Sequence, residues 1–272
     1  MSSYEKTLLG ARVDYPVVYA PDCLFPIARK KLREQLGIAE SLPFYGVDIW
    51  NAYEMSWLNQ SGKPQVAIGV FSIPADSPNL IESKSLKLYL NSLIQSRFET
   101  KDEILRVIKN DLSVVAGASV EVLLKGVDDR VDVFSQSYLS LDNLEINVHN
   151  YGPPQPDFLL TASGCEIQES LSTRLFKSNC PVTGQPDWAS VYITYTGQRI
   201  DHAGLLRYLI SFRQHSDFHE HCVERIYRDL IQYCQPRMLD VYARYTRRGG
   251  LDINPFRSSH QAQPPHYFDP RQ

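Results

Sequence analysis

The sequence predicts an α+β protein in which one unit, strand-strand-helix-helix-strand-strand, occurs twice along the chain. Three observations carry this. The segment Tyr151-Gly152-Pro153-Pro154-Gln155-Pro156-Asp157 interrupts regular structure near the middle of the 272 residues, since three prolines cannot continue a helix or a central strand. On each side of it, aromatic and β-branched runs precede two stretches with leucine and isoleucine at helical spacing, and further strand-like runs follow. The length exceeds one domain of ordinary size, and 43% hydrophobic residues with 22% charged ones suffice for packed cores.

Taken in order, the residues before Phe44 read as an irregular arm punctuated by Pro16, Pro21 and Pro26, with one short helix over 28–36. Residues 47–58 and 65–73 read as a hairpin around Gly62. Leu86, Leu90, Leu93 and Ile94 place a helix over 83–98, and Ile104, Leu105 and Ile108 a second over 103–112. Strands at 120–124 and 131–139 complete the first set. The second set has strands at 166–176 and 189–196, then helices at 202–212 (Leu205, Leu206, Leu209) and 218–234 (Cys222, Ile226, Leu230, Ile231). A strand at 237–247, a turn at Gly249-Gly250 and a short strand at 251–256 close it. The expected modules are therefore 1–150, including the arm, and 158–272, and the repeated order suggests an internal duplication.

A net charge of −3 argues against a broad nucleic-acid face, and Arg247-Arg248 is a basic pair sufficient for one phosphate. No run approaches the ~20 apolar residues of a membrane helix. Met1-Ser2-Ser3-Tyr4-Glu5-Lys6 has neither the apolar core nor the cleavage site of a signal peptide. Five cysteines, an odd number without a C-x-x-C pair, point to a reducing cytoplasm rather than a disulfide framework.

Chemistry concentrates in Asn179-Cys180-Pro181-Val182-Thr183-Gly184-Gln185-Pro186-Asp187-Trp188, a shaped loop between two strands. It presents a thiol and a carboxylate. A free thiol is only a few per cent thiolate near neutral pH, so a nucleophilic cysteine needs help from its surroundings. An aspartate beside it can take up the proton and return it. Taken alone, Cys180 reads as a small buried apolar residue and Asp187 as a turn cap.

The whole string changes that reading. Ser178-Asn179-Cys180-Pro181-Val182-Thr183-Gly184-Gln185-Pro186-Asp187 resembles the signature of the QueF nitrile reductases, which make a queuosine precursor. Glu82-Ser83-Lys84-Ser85-Leu86-Lys87-Leu88-Tyr89, Phe218-His219-Glu220 and Arg247-Arg248-Gly249-Gly250 resemble three further segments of that family, in its long, two-half form. The resemblance implies tandem tunnelling-fold (T-fold) modules, each an antiparallel sheet with two helices. It implies NADPH-dependent reduction of 7-cyano-7-deazaguanine to 7-aminomethyl-7-deazaguanine, with Cys180 as nucleophile and Asp187 as proton donor. Glu220, His219, Glu82, Ile81 and Ser83 would hold the substrate base; apart from the resemblance, Phe218 is a candidate to pack on its ring face. No G-x-G-x-x-G occurs, so the dinucleotide needs another cradle. The resemblance assigns it to Ser83, Lys84, Arg248 and Gly249, where a helix N-terminus, two cations and a glycine backbone suit phosphate. Two NADPH per product, no metal, no nucleic-acid partner and a homodimer complete the expectation.

Two other readings compete. His215 and His219 are four residues apart and Cys222 three further on, so a zinc enzyme of the cyclohydrolase type is one. Ser216-Asp217 reads as a helix start, however, which leaves His215 outside the helix. The other is a purine- or pterin-binding module without chemistry, against which Cys180 and Asp187 both speak.

Overall fold

The computed structural model describes residues 15–38, 41–129, 137–265 and 269–272. The chain divides into two compact units. One comprises Met1–Glu34, Asp48–Arg130 and Arg247–Ile253; the other comprises Gln35–Val47, Val131–Thr246 and Asn254–Gln272. These differ from the sequential modules 1–150 and 158–272, because the Pro-rich segment at 151–157 lies inside the second unit and Arg247–Ile253 belongs to the first.

In the first unit, β1 (Pro26–Ala28) leads into α1 (Arg29–Gln35). β2 (Tyr45–Leu58) and β3 (Pro64–Pro74) are neighbours joined through a turn in which Gly62 has φ +80°, a left-handed conformation that favours glycine. β4 (Asn79–Ile81) pairs antiparallel with β1 and delivers the chain to α2 (Ser83–Ser92) and α3 (Lys101–Ala116). β5 (Glu121–Lys125) returns antiparallel to β3. Alternate residues of β3, Ala67, Phe71 and Ile73 among them, are buried, as a strand with one covered face requires. They share a core with Trp50, Trp57, Leu86, Tyr89, Leu93, Ile104, Ile108 and Leu112. Burying one such side chain contributes roughly 1.5–3 kcal/mol.

The expected helix over 83–98 stops at Ser92. Leu93 N–H donates to Leu90 O and Ile94 N–H to Asn91 O, three-residue bonds that tighten the last turn, and the Ser92 hydroxyl bonds back to Tyr89 O. Leu93 is nonetheless fully buried, so apolar spacing runs past the end of the helix. α3 begins where Thr100 Oγ1 accepts from Glu103 N–H and ends at Gly117, φ +72°.

Of the strand expected at 131–139, residues 131–136 lie outside the described residues. Its end forms β6 (Leu139–Ser140) in the second unit, parallel to β7 (Ile167–Asn179). β8 (Pro186–Gly197) pairs antiparallel with β7, and β9 (Met238–Tyr245) with β8. α4 (His202–Ile210), extended by a 3₁₀ turn at Ser211–Gln214, and α5 (His219–Cys234) intervene between β8 and β9. β10 (Leu251–Ser258) pairs with β9 through Phe256, Arg257 and Ser258. The order β7β8α4α5β9β10 is the ββααββ unit that the sequence predicts. Its core holds Phe176, Tyr208, Phe212 and Tyr245 in tilted and edge-on contact at 5.3–6.2 Å. Cys222, Ile226 and Leu230, one stripe of α5, are fully buried. Among the described residues, no helix is long and apolar enough to cross a membrane.

Candidate active site

A register shift in β7 decides where Cys180 points. Before it, Leu171 and Thr173 are buried; after it, Phe176 and Ser178 are. An extra residue changes the parity of a strand, so the even-numbered Cys180 turns inward and is 5% exposed. The loop then closes on itself: Gly184 N–H donates to Cys180 O at 3.0 Å and Cys180 N–H to Gln185 O at 2.8 Å. Gly184 has φ +67° with open space where a Cβ would stand, so its requirement is conformational rather than steric.

Asp187 opens β8 opposite Ser178 and is also buried. Cross-strand partners share a face, so the Asp187 carboxylate stands on the Ser178 side of the β7–β8 ladder, and buried Cys180 follows two residues beyond Ser178, at the head of the loop. α5 brings its first residues to Asp187. His219 Nε2 lies 3.2 Å from Asp187 Oδ2, and its ring stacks on Tyr245 with centroids 3.8 Å apart. The other ring nitrogen, Nδ1, is buried and has no hydrogen-bond partner among the described residues. Glu220 follows, buried, and Phe218 is half-buried at the N-cap of α5. The Tyr245 phenol is pushed well up by burial and by facing Cys222 and Asp187, so it stays neutral. Trp188, half-buried and next to Asp187 in the chain, has the guanidinium of Arg213 5.1 Å and that of Arg271 5.8 Å from its ring centroid.

The first unit carries the other expected site residues. Ile81 ends β4, buried. Glu82 is fully buried and caps α2, accepting from Lys84 N–H and Ser85 N–H at 2.8 Å each. Burial pushes its carboxyl up against the opposing pull of those bonds. This corrects one expectation: the N–H groups of Lys84 and Ser85 at the start of α2 are taken by Glu82, so they are not open to a phosphate. The Ser83 and Lys84 side chains flank this cap, half-buried. The turn that follows Arg248 needs two glycines. Gly249 has φ +58° and Gly250 φ +78°, and a Cβ would stand 2.6 Å from Lys87 Nζ at the former and 2.4 Å from Glu54 at the latter. Arg247 lies over the Tyr53 ring at 4.1 Å. Lys84, Lys87, Arg247 and Arg248 thus give this unit a cationic set that fits phosphate oxygens in charge.

The competing zinc set does not assemble. His215 lies before α5 and faces Asp217, His219 faces Asp187, and Cys222 is fully buried, with its thiol pushed well up by burial. Two residues of this neighbourhood, Tyr245 and Asp217, are not among the site candidates the sequence offers; Asp217 reads there only as a helix start. Tyr245 reads there as one more strand aromatic.

Comparison with known proteins adds the class. Residues 15–124 match the family model described as "Nitrile reductase, 7-cyano-7-deazaguanine-reductase N-term", and residues 186–264 match "QueF-like protein". A protein of Burkholderia vietnamiensis named NADPH-dependent 7-cyano-7-deazaguanine reductase is 53% identical over 263 residues, covering 96% of each chain. One of the same name from Bordetella pertussis is 52% identical over 259 residues, covering 94% of each. This chain belongs to the family of NADPH-dependent 7-cyano-7-deazaguanine reductases. Among solved structures, an archaeosine synthase QueF-Like in the apo form matches 38% of this chain and all of its own at 14% identity and TM-score 0.32. The description of the fold therefore stands on the strands and helices themselves.

Proposed function

We propose that this chain reduces the nitrile of 7-cyano-7-deazaguanine to the aminomethyl group of 7-aminomethyl-7-deazaguanine, a queuosine precursor, with Cys180 as the covalent nucleophile. The observation that carries the reading is a buried Cys180 and a buried Asp187 at the two ends of one self-closed loop, with His219 against the carboxylate.

A nitrile is a poor hydride acceptor because the charge would rest on an unactivated nitrogen. Addition of the Cys180 thiol across the C≡N bond forms one S–C bond, sends one proton to nitrogen and leaves a thioimide whose C=N can be protonated. Asp187 is the proposed proton donor to that nitrogen. His219 keeps a proton-carrying partner on Asp187: the ring N–H donates to the carboxylate, or the protonated acid donates to Nε2. One hydride to the thioimide carbon and one proton to nitrogen give a sulfur-bearing amine. Its C–S bond then breaks, returning Cys180 as the thiol and re-forming C=N as an imine. The imine takes a second hydride and proton, four electrons and four protons in all. NADPH, when bound, supplies these electrons as two hydrides, hence two per product.

Glu220, by family resemblance, accepts the N–H and exocyclic amine on one edge of the base in a two-point, charge-assisted contact. The buried, unpartnered His219 Nδ1 suits a further polar contact to substrate, since an unmet buried group is costly when nothing fills it. Phe218, Ile81, Glu82 and Ser83 are proposed as additional substrate contacts. Lys84, Arg248, Gly249 and Ser83 are proposed to hold the NADPH phosphates through side-chain cations and the glycine turn. We place the enzyme in the cytoplasm, as a homodimer, without metal and without a nucleic-acid partner.

The test is intact-protein mass spectrometry with nitrile present and NADPH absent. Wild type should gain one adduct that maps to Cys180, and Cys180→Ala should show no adduct; in a separate assay with NADPH added, Cys180→Ala should not consume it. An adduct at Cys222 or Cys234 sinks the assignment.

A further inference from the structure

We infer that Asp217 is a positioning residue, whose carboxylate, shared by His215 and His221, fixes the nucleophile loop and the base-recognition turn to each other. The inference rests on the roles given above to Cys180 and Glu220.

The connection is first a backbone one. Asn179, the residue before Cys180, forms a parallel bridge to the segment around Ser216: Asn179 N–H donates to His215 O at 2.9 Å and Asp217 N–H to Asn179 O at 2.9 Å. The Asn179 amide adds a second bond to His215 O at 3.3 Å. Phe218, His219 and Glu220 follow Asp217 directly. The nucleophile thus lies one residue beyond one side of this bridge, and the proposed recognition residues begin two residues beyond the other.

The Asp217 side chain locks the bridge in place. Its Oδ1 accepts from Phe218 N–H at 2.9 Å, standing in for the side-chain cap that α5 lacks. Its Oδ2 meets His215 Nε2 at 3.2 Å and His221 Nδ1 at 2.5 Å. One histidine ends the turn before α5 and the other lies within the first turn of α5, so a single carboxylate spans the junction. Asp217 and His221 are both buried. Burial alone would push this carboxyl up; the hydrogen bonds from His215 and His221 instead hold it at about 2. It remains an anion at any working pH. Neither histidine has a part in the proposed chemistry, which leaves their shared carboxylate to be explained by placement.

An amide cannot replace it, because its single oxygen cannot accept on both sides at once. Asp217→Asn should therefore slow adduct formation at Cys180 and weaken nitrile binding, each by about tenfold or more, the size expected when a hydrogen bond to a charged group is lost. Rates are measured per folded molecule, well below the melting temperature. A second pair separates placement from plain stability. His221→Asn keeps an N–H donor near the Nδ1 position, whereas His221→Phe removes it. We expect His221→Asn to form adduct within about threefold of wild type and His221→Phe to fall with Asp217→Asn. Equal adduct rates in the two His221 variants overturn the inference, as does a wild-type rate in Asp217→Asn. If Asp217→Asn does not fold, the His221 pair decides alone. A wild type that forms no adduct overturns the functional reading and this inference with it; a wild type that forms it normally leaves the variants to judge the inference by itself.

Discussion

At the scale of single residues, what separates Asp187 from the other buried carboxylates is its company. Asp229 is met by Tyr208 and Arg228, and Glu224 by Arg257, pairings that hold a fold together. Asp187 meets an imidazole whose second nitrogen is unspent. A group so placed can pass a proton on rather than only neutralise a charge. Asp187→Asn should keep the fold and lower turnover by about 10²–10⁴, the usual worth of a positioned acid–base group. Steady-state kinetics across pH will check this; a near wild-type rate with an unchanged profile would reduce Asp187 to a turn residue. Cys180 and Asp187 were legible in the sequence because loop punctuation and motif put them on view. Tyr245 was not, since a ring that stacks on His219 looks the same in sequence as a ring that fills a core. Asp217 was read as a helix start; its two histidines straddle a turn that no periodic pattern reveals.

At the scale of elements, the junction ahead of α5 should have a signature in acid. The Asp217 carboxyl is lowered in the fold from an ordinary 3.8 to about 2. A depressed carboxyl contributes stability that is fully present above its unfolded value and is lost as pH falls through its folded one. The window is therefore about pH 4 to 2, and the contribution on the order of 2 kcal/mol. Glu82, Asp229 and Asp240, all pushed up by burial, act in the opposite sense, so the raw acid curve is a sum. The difference between wild type and Asp217→Asn isolates one group. Urea midpoints should differ most near neutral pH and converge between pH 4 and 2; a gap that stays constant through that window would show the carboxylate to be unlinked. Element order was largely readable, because β-branched alternation and leucine spacing report burial. β1 and β4, three residues each, are too short to show a period, and α2 ended early because burial outlasted its hydrogen bonding.

At the scale of the whole molecule, the three tryptophans are distributed unevenly. Trp50 and Trp57 lie in the core of the first unit, and Trp188 is the tryptophan of the second. With Trp50→Phe and Trp57→Phe, emission would come from a single fluorophore in the unit that carries Cys180, next in sequence to Asp187. The Arg213 and Arg271 guanidinium groups over its ring give that fluorophore a charge-selective surrounding. Iodide is drawn to fixed guanidinium groups and caesium is repelled, so iodide should quench the emission several-fold more strongly at low salt. Raising ionic strength should erase the difference, because screening acts within about 10 Å at 0.1 M. Equal quenching by the two ions at low salt would mean the guanidinium groups do not stay over the ring in solution. The two guanidinium groups at Trp188 thereby turn a packing detail into an optical gauge of the local field on the side of β8 opposite Asp187, readable without substrate and without turnover.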